Sequence, residues 1–453
     1  MKVHFIAVGG SAMHNLALAM HKKGYNVTGS DDEIAEPSLS RLKNAGILPT
    51  EIGWFTDKIT SDIDAVIIGM HAREDNPELQ KAKSLGLKIF SYPEYIYEQT
   101  KNKTRVVIGG SHGKTTITAM ILHVLHYHKI DCDYMVGAQL KGFDTMVKLS
   151  DNTSIAIIEG DEYLSSPIDR RPKFHLYHPN IALLSGIAWD HINVFPTFEN
   201  YLEQFKIFID LISKNGVLVY AEDDIEVKKL ALAGRNDIIK FPYSVPAHSN
   251  ENGITSLIID QHKVRLKVFG NHNLTNLNGA RIVCNQLGLN DAQFYEAITS
   301  FEGAAKRLEI VFETAHSVFY KDFAHSPSKL KATTAAVKQQ FPERNLIACM
   351  ELHTFSSLNE QFLLEYKDAM KTADEAIVYF NPHTIAHKKL KEITEEQILN
   401  AFGAGNNLSV YTDVNKLRAH LLKINTANSN LLMMSSGTFD GMDFTALAKE
   451  IYV

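Results

Sequence analysis

The sequence predicts an α/β fold divided into three domains, and three observations support this prediction. The chain has 453 residues, which is too many for one hydrophobic core and enough for about three domains of about 150 residues. Short apolar runs alternate with helical periodicity and glycine turns along its length, a pattern typical of parallel sheets covered by helices. Hydrophobic residues make up 45% of the chain and charged residues 22%, as in ordinary globular proteins.

The first domain is expected over residues 1–102. It opens with the strand VHFIAVGG, continues into a helix around Leu16 and Met20 that ends near Gly24, and returns in the strand YNVTGSDD. DAVIIGM and KIFSYP add further strands, which gives a Rossmann-like domain. The polar stretch YEQTKNKT, residues 97–104, is predicted to be a linker.

A glycine turn follows the first strand. Gly9 and Gly10 end that strand, and Asp31 lies about 20 residues further on, the spacing at which an acid meets a ribose in dinucleotide-binding folds. The third glycine of that pattern is missing. From these residues alone, a sugar-nucleotide diphosphate site and a purely structural turn are equally compatible with the sequence.

The second domain is expected over residues 103–312. RVVIGGSHGKTT begins a strand, glycine loop and helix, and the helix carries Ile117, Met120 and Ile121 on one face. The strands SIAIIEGDE, IALLSGI, GVLVYAEDD and NDIIKF follow, with a hairpin at residues 254–268. Alternating strands and helices predict a largely parallel, P-loop ATPase-like sheet, whose ligands gather beyond the carboxyl ends of its strands.

The third domain is expected over residues 313–453, where the α/β pattern restarts in a second Rossmann-like unit. VFYKDFAHSP is followed by a helix at residues 328–340 and by the strands NLIACMEL, EAIVYF, LSVYT and NLLMMSSG. The sequence has no internal repeat and no low-complexity tract, so a solenoid is not expected.

Charge and cysteine usage exclude several classes of protein. A formal net charge of -6 gives no broad basic surface, so nucleic acid is not an expected partner. The amino terminus lacks the pattern of a signal peptide, and no apolar run is long enough to span a membrane. The cysteines Cys132, Cys284 and Cys349 are far apart, which suits a reducing cytoplasm, and each is predicted to be a small buried hydrophobe. Nothing in the sequence specifies an oligomeric state.

Residues 109–116, GGSHGKTT, lie between an apolar strand and a helix, the context that a phosphate-binding loop requires. Glycines let backbone N–H groups approach phosphate oxygens, Lys114 supplies a compact positive charge, and the Thr115 hydroxyl can bind Mg²⁺. The strict form of the motif has a glycine where this chain has Ile108. The predicted ATP-phosphate residues are Gly110, Ser111, His112, Gly113, Lys114, Thr115 and Thr116.

Acidic residues and a histidine follow two strands of the predicted central sheet. Glu159, Asp161 and Glu162 come after the strand at residues 155–158, and the pair Asp190–His191 comes after the next strand, at residues 181–187. Carboxylate oxygens are preferred Mg²⁺ ligands, and a histidine there can bind metal or orient a phosphate. The sequence therefore predicts a metal site of Thr115, Glu159 and His191, near Lys114.

These motifs resemble, in order and over essentially the whole chain, those of the Mur ligase family, ATP-dependent amide ligases of bacterial cell-wall synthesis. GGSHGKTT is similar to the family's phosphate loop, and EGDE and AWDH to its metal-binding segments. GNHNLTN is similar to its adenine-binding segment, and EGAAKRLE and KDFAHSP to its interdomain arginine and ribose-contacting segments. The resemblance implies a UDP-muramic acid domain, an ATP domain, and a third domain that closes on ATP and peptide.

The resemblance also implies individual roles. Asn271 and His272 would contact adenine, Arg307 would contact phosphate, and Asp322 would contact ribose. His325 would lie near the substrate. The catalytic residues would be Lys114, His191 and Arg307. The glycine turn is similar to the family's UDP cradle, which favours a sugar nucleotide over NAD. The residues carried over to this cradle are Gly10, Ser11, Ala12, Met13, Ser30 and Asp31.

The reaction that the resemblance implies begins with attack of a muramic acid carboxylate on ATP, after which an amine captures the acyl phosphate. EGDEY and DRRPKF, within residues 159–174, resemble the branch that joins the tripeptide L-alanyl-γ-D-glutamyl-meso-diaminopimelate to UDP-N-acetylmuramate in peptidoglycan recycling. The alternative is free L-alanine as the amine, in de novo synthesis. Three residues depart from the family pattern: Ala188 replaces a common Glu, Leu164 replaces a common acid, and Phe205 replaces the carbamylated lysine of later-acting members.

Two hypotheses from other classes also follow from the residues. A non-catalytic nucleotide sensor could retain the same fold, and loss of phosphate release despite ATP binding would identify it. An oxidoreductase that uses the first domain would bind a nicotinamide cofactor.

Overall fold

The computed structural model describes residues 1–251, 253–304, 307–403 and 407–452. Contacts divide the chain into two compact units, which are described separately. The first consists of Met1–Ile187, Glu199–Tyr243 and Gly279–Phe294, and the second of Ala188–Phe198, Ser244–Asn278 and Tyr295–Val453. Among the helices of the described ranges, none is both long enough, at 18 residues or more, and apolar enough to cross a membrane.

The chain begins with a four-stranded parallel sheet in the order β2-β1-β3-β4. A run of apolar residues makes β1 a buried strand, and a helix follows each of the four strands. The elements are β1 (Lys2–Ile6), α1 (Ser11–Lys22), β2 (Asn26–Ser30), α2 (Ser38–Asn44), β3 (Ala65–Ile68), α3 (Pro77–Ser84), β4 (Ile89–Ser91) and α4 (Tyr92–Thr100).

The central sheet has seven strands in the order β11-β10-β9-β5-β8-β6-β7, and β7 is its antiparallel edge strand. The middle strands β5, β8 and β9 are almost wholly buried, as expected for a parallel sheet covered on both faces. The elements are β5 (Thr104–Gly109), α5 (Lys114–Tyr127), β6 (Asp133–Met135), β7 (Val147–Lys148), β8 (Ile155–Glu159), β9 (Ile181–Leu184), α6 (Phe198–Asp210), β10 (Val217–Ala221), α7 (Ile225–Ala233) and β11 (Ile239–Tyr243).

A small antiparallel sheet and two helices follow. β13 pairs with both β12 and β14, so the hairpin predicted at residues 254–268 is part of a three-stranded sheet. The elements are β12 (His248–Glu251), β13 (Ile254–Ile259), β14 (His262–Arg265), α8 (Asn271–Gln286) and α9 (Asp291–Ile298).

The last sheet has six strands in the order β15-β16-β20-β17-β18-β19, all parallel except β15. Its two faces carry separate apolar cores, one around Leu330 and Tyr366 and the other around Leu417 and Leu447. The elements are β15 (Glu309–Glu313), β16 (Val318–Asp322), α10 (Pro327–Gln340), β17 (Asn345–Leu352), β18 (Glu375–Phe380), α11 (Pro382–His387), α12 (Glu395–Phe402), β19 (Asn407–Tyr411), α13 (Val414–Leu421), β20 (Ser429–Met434) and α14 (Phe444–Tyr452).

The predicted α/β class is confirmed, with a Rossmann-like sheet, a P-loop-type sheet and a second Rossmann-like sheet following one another along the chain. The linker predicted at residues 97–104 is wrong, because α4 runs to Thr100 and β5 starts at Thr104. Ser91 and Glu94 form a capping box at the start of α4. Ile96 and Thr100 are buried, so the helix continues to Thr100 although the sequence near its end is polar. The predicted boundary between residues 312 and 313 falls inside β15, which pairs with β16.

All three cysteines are free and buried, as predicted. Cys284 and Cys349 have no exposed surface, and Cys132 is 6% exposed. They therefore behave as small apolar side chains of the core.

Candidate functional site

The predicted phosphate loop connects β5 to α5 and is shaped by two glycines with positive φ. Gly110 has φ +130°, and a Cβ atom there would lie 2.2 Å from the Ser185 hydroxyl oxygen. Gly113 has φ +79° and caps α5, whose first turn contains no acidic residue. The Ser111 amide donates to the Gly186 carbonyl over 3.0 Å, which fixes the loop against the end of β9. A 14-residue helix that begins behind such a loop is suited to binding phosphate.

Lys114 is the first residue of α5, and its ammonium group is already paired. Lys114 Nζ lies 2.5 Å from Glu162 Oε2 and 2.5 Å from the Gly110 carbonyl oxygen. Burial alone would lower the pKa of Lys114, but the charges of Glu162 and Asp161 outweigh burial and raise that pKa. The amine is therefore firmly protonated. Sequence reasoning placed Glu162 near this edge of the sheet but did not identify it as the partner of Lys114, because three acids follow β8 at close spacing.

Glu159 ends β8 and lies beside the phosphate loop. Its Oε1 accepts the Thr115 hydroxyl over 2.7 Å, and its Oε2 accepts the Gly137 amide over 2.7 Å. Glu159 is only 7% exposed. The structure thus joins two of the three predicted metal ligands, and carboxylate and hydroxyl oxygens are the hard donors that Mg²⁺ requires. Gly137 was missed, because nothing in the local sequence shows which backbone amide meets this carboxylate.

His191, the third predicted ligand, belongs to the second unit. Its backbone has φ +54°, and its amide donates to Asp190 Oδ1 over 2.7 Å. Burial would raise the pKa of Asp190, but the neighbouring His191, Lys329 and His325 lower it overall. β9 ends at Leu184 rather than at Ile187 as predicted, so His191 lies in a loop after the strand.

The other residues assigned to ATP also lie in the second unit. Asn271 is exposed at the start of α8, and His272 is half-buried. The Asp322 carboxylate accepts the amides of Leu308 and Ala324, each over 2.7 Å, and burial raises its pKa. The Arg307 guanidinium lies 5.1 Å from the centre of the Phe323 ring. Ala305 and Lys306 of the EGAAKRLE segment lie outside the described residues.

His325 follows β16, and hydrogen bonds hold both its ring and its backbone carbonyl. Its Nδ1 lies 2.8 Å from the Phe323 carbonyl, and the Tyr366 hydroxyl donates to the His325 carbonyl over 2.5 Å. Burial and the charge of Lys329 lower the pKa of His325 to about 3. In this arrangement His325 is a weak base.

A cavity of about 170 Å³ opens at the carboxyl ends of β16 and β20. Lys321, Asp322 and Phe323 form one wall, and the loop after β20 forms another with Ser435 and Ser436. Glu351 holds this loop, since its carboxylate accepts the Phe439 amide over 2.9 Å. Sequence reasoning named the strand NLLMMSSG but not its two serines, although their position after a strand was a usable signal.

The predicted sugar-nucleotide cradle lies at the start of α1. Gly10 caps this helix without a side-chain hydrogen bond, and the first turn has no acidic residue. Ser11 and Ala12 are exposed, whereas Met13 is buried. Exposed backbone N–H groups at the start of a helix can receive a diphosphate.

Ser30 ends β2 beside this cradle and Asp31 follows it, and both are fully buried. Asp31 Oδ2 accepts the Gly9 amide over 2.6 Å, so the acid holds the glycine turn in place. A Cβ atom at Gly9 would lie 2.9 Å from that oxygen, which explains the glycine. Asp31 therefore supports the turn rather than presenting both carboxylate oxygens to solvent.

Three family models match the chain. "Mur ligase family, catalytic domain" matches residues 2–104, "Mur ligase middle domain" residues 108–284, and "Mur ligase, glutamate ligase domain" residues 306–437. The UDP-N-acetylmuramate–L-alanine ligase of Sulfurihydrogenibium sp. is 29% identical over 99% of this chain and 98% of its own length. The enzyme of the same name from Carboxydothermus hydrogenoformans is 28% identical over 88% of this chain and 85% of its own length.

Two solved structures have the same fold along their whole length. A UDP-N-acetylmuramate–alanine ligase from Thermotoga maritima has a TM-score of 0.70 at 21% identity and covers 100% of this chain and 98% of its own. A murein peptide ligase from Psychrobacter arcticus has a TM-score of 0.65 at 23% identity, and the match covers 100% of this chain and 99% of that protein.

The prediction that the amine is the recycled tripeptide is wrong. Eight curated relatives, 25% to 29% identical, are all named for L-alanine. The DRRPKF segment that suggested the tripeptide is engaged in its own loop: Arg171 pairs with Asp169 at 2.7 Å, and Lys173 with Asp161 at 2.6 Å. These charged side chains have structural partners and do not identify the amine.

Proposed function

Because the chain belongs to the Mur ligase family, we propose that it is an ATP-dependent ligase that joins L-alanine to the carboxylate of UDP-N-acetylmuramate in cell-wall synthesis. The observation that carries this proposal is the arrangement of Lys114, Thr115 and Glu159 at one edge of the central sheet. The names of the eight curated relatives support the identity of both substrates.

The phosphate loop would hold the phosphates of ATP. Backbone amides of residues 110–116 would bind phosphate oxygens, and Lys114 would exchange its contact with Glu162 for one with the terminal phosphate. The positive charge would stabilise the negative charge that develops as the muramic acid carboxylate attacks. We assign Asn271 and His272 to adenine, Asp322 to ribose and Arg307 to phosphate, as the family resemblance implies.

Thr115 and Glu159 fit a Mg²⁺ ion that accompanies the nucleotide, and His191 is proposed as a further ligand. The fit rests on the buried Glu159 carboxylate and the Thr115 hydroxyl, which lie within 2.7 Å of each other. When bound, Mg²⁺ would offset the charge of the phosphates. The carboxylate is oriented by the Gly137 amide, so it presents a fixed oxygen to the site.

The two other substrates are assigned to the two outer sheets. Residues 1–102 would bind the UDP group at the start of α1, where Ser11 and Ala12 are exposed and Gly10 is half-buried, with Met13, Ser30 and Asp31 buried behind them. Residues 313–453 would supply the amine site, near His325 and the cavity beside Lys321. A cavity of about 170 Å³ suits a small amino acid.

Phosphate release from ATP tests this proposal. The purified chain is mixed with Mg²⁺, UDP-N-acetylmuramate and one amine at a time, with L-alanine, glycine, L-serine and D-alanine compared and product mass recorded. We expect phosphate release to require both the sugar nucleotide and an amine, with L-alanine giving the highest kcat/KM. ATP binding without phosphate release for any amine would reject the ligase and identify a nucleotide sensor.

A further inference from the structure

The loop between β6 and β7, residues 136–146, contacts the side chain that we assign to Mg²⁺. We call it the bridging loop. It is closed at its base, where the Val136 amide donates to the Met146 carbonyl over 3.0 Å. Beside this base, the Gly137 amide donates to Glu159 Oε2 over 2.7 Å. A Cβ atom at position 137 would lie 2.7 Å from Glu159 Oε1, so the loop backbone approaches the carboxylate as closely as only a glycine allows.

The base of the bridging loop, formed by Val136 and Met146, is also hydrogen-bonded to α1. The Met146 amide donates to Asn15 Oδ1 over 3.0 Å. Arg41 on α2 donates to Asn15 Oδ1 over 3.3 Å and to Gln139 Oε1 over 3.0 Å. Gln139 in turn donates to the Phe143 carbonyl, which braces the loop internally. Two side chains of the first sheet's helices thus hold the bridging loop at two points.

Asn15 connects these contacts to the proposed sugar-nucleotide cradle. Its side chain is fully buried, and its Nδ2 donates to the Ser11 carbonyl in the first turn of α1 over 2.8 Å. A buried amide with every group engaged has one stable orientation, because any rotation would leave a buried donor or acceptor unpaired. A shift of the first turn of α1 therefore also shifts the Met146 amide.

We propose that the bridging loop couples the sugar-nucleotide site to the ATP site, and that Asn15, Arg41 and Gln139 are positioning residues for the Glu159 carboxylate. The inference rests on the proposed function, since it assumes that the start of α1 holds the UDP group and that Glu159 serves the nucleotide. The path from Ser11 to Glu159 runs through hydrogen bonds of 2.7 to 3.0 Å that all lie within the first unit. Coupling of this kind is reciprocal: each ligand raises the affinity for the other by the same factor.

The test measures that factor with and without the contact between Arg41 and Gln139. The informative variant is Gln139→Met, which keeps the length of the side chain but removes its acceptor and its donor. The matched control is Gln80→Met, which removes a surface glutamine of α3 whose amide donates to the Glu74 carbonyl over 2.5 Å. Gln139→Glu keeps the oxygen that accepts from Arg41 and serves as the conservative variant.

Titration calorimetry gives the affinity for the non-hydrolysable ATP analogue AMP-PNP with Mg²⁺, in the absence and in the presence of saturating UDP-N-acetylmuramate. We expect the sugar nucleotide to raise that affinity by about tenfold in the unsubstituted chain and in Gln80→Met. In Gln139→Met the ratio should fall to below about threefold, while the affinity for each ligand alone changes by less than about threefold. Gln139→Glu should retain most of the ratio.

The possible outcomes separate the inference from the function on which it rests. An unchanged ratio in Gln139→Met, or a ratio of one in the unsubstituted chain, overturns the coupling while leaving the ligase proposal intact. Failure of the unsubstituted chain to bind UDP-N-acetylmuramate overturns the proposed function itself. The variant Arg41→Met removes the same contact from the other side, so it must reproduce the result of Gln139→Met, and the double variant must add nothing further.

Discussion

At the scale of single residues, Lys114 is the side chain on which the proposed chemistry depends most. Its side chain is 14% exposed, and its ammonium group is paired with the Glu162 carboxylate. Because a buried charge is stable only when it is paired, arrival of a nucleotide phosphate would exchange one anionic partner for another.

Replacement of Lys114 tests this role. We expect Lys114→Ala to lower kcat/KM for phosphate release at least about a hundredfold, because charge that develops on the phosphate loses its nearest cation. The far-ultraviolet circular dichroism spectrum should be unchanged. Lys101→Ala, which removes a lysine paired with Glu98 near the surface, is the control. Retention of more than a tenth of the activity in Lys114→Ala would contradict the assigned role.

The cysteines give a second prediction at this scale. Burial raises the pKa of Cys132 to about 12 and raises the pKa values of Cys284 and Cys349 as well. Thiolates are the reactive form, so the native chain should show no rapidly reacting thiol toward Ellman's reagent at pH 8. All three should react in guanidinium chloride. Rapid reaction of even one thiol in the native chain would show that its surroundings open readily.

The sequence allowed prediction of the positions of those candidate site residues that follow from local spacing. The phosphate loop and the partners Thr115 and Glu159 follow from a strand-loop-helix pattern and from a strand end, both of which are contiguous. Glu162, Gly137 and the serines of the cavity depend on contacts between distant segments. A single sequence does not show which of several nearby acids turns toward a lysine, or which amide meets a carboxylate 22 residues away.

At the scale of secondary-structure elements, Arg105 holds the junction between α4 and β5. Its guanidinium donates to the carbonyls of Thr100, Lys101 and Lys103 on one side, and to those of Tyr177 and His178 on the other. The arginine is only 6% exposed. The short segment between the helix and the strand is therefore fixed rather than free, and for this reason it does not behave as the linker that its polar residues suggested.

Removal of this guanidinium should destabilise the first unit. We expect Arg105→Met to lower the free energy of unfolding by on the order of 3 kcal/mol, because several buried carbonyls lose their donor. Urea denaturation followed by circular dichroism measures the change. Arg73→Met, at an exposed arginine, is the matched control. A loss of less than about 1 kcal/mol would indicate that water replaces the lost donors.

Strong apolar runs were predicted best among the elements. NLIACMEL and EAIVYF coincide with β17 and β18 residue for residue, because both are buried strands with clear polar ends. β15 was missed because it is a partly exposed edge strand whose apolar run, IVF, is only three residues long and pairs with β16 alone. Whether an edge strand forms depends more on the neighbouring strand that it pairs with than on its own composition.

At the scale of the whole molecule, the chain divides into two compact units, whereas the sequence suggested three domains. Residues 188–198 and 244–278 fall in the second unit, although they precede the predicted third domain in sequence. This exchange of segments depends on long-range contacts, which local periodicity does not report. The three-domain α/β class was predictable, but the allocation of loops to the two compact units was not.

The two units lead to a prediction for thermal unfolding. We expect differential scanning calorimetry to show more than one transition, with a calorimetric enthalpy larger than the van't Hoff enthalpy, as is common for chains of several domains. Addition of nucleotide at about a hundred times its Kd should stabilise the folded chain by about 2.7 kcal/mol. A single transition with equal enthalpies would show that the chain unfolds cooperatively as one body.

The ion pair between Lys114 and Glu162 also bears on how such a ligase would avoid damaging itself. An acyl phosphate acylates any neutral amine nearby, and lysine is chemically the same kind of nucleophile as the intended amino acid. The carboxylates around Lys114 raise its pKa and keep it protonated, so it has no lone pair to attack with. In a ligase of this kind, the same electrostatic field that lets Lys114 hold phosphate would make the Lys114 amine chemically inert toward the activated sugar acid. Selectivity between Lys114 and the amino acid substrate would then follow from protonation state rather than from shape.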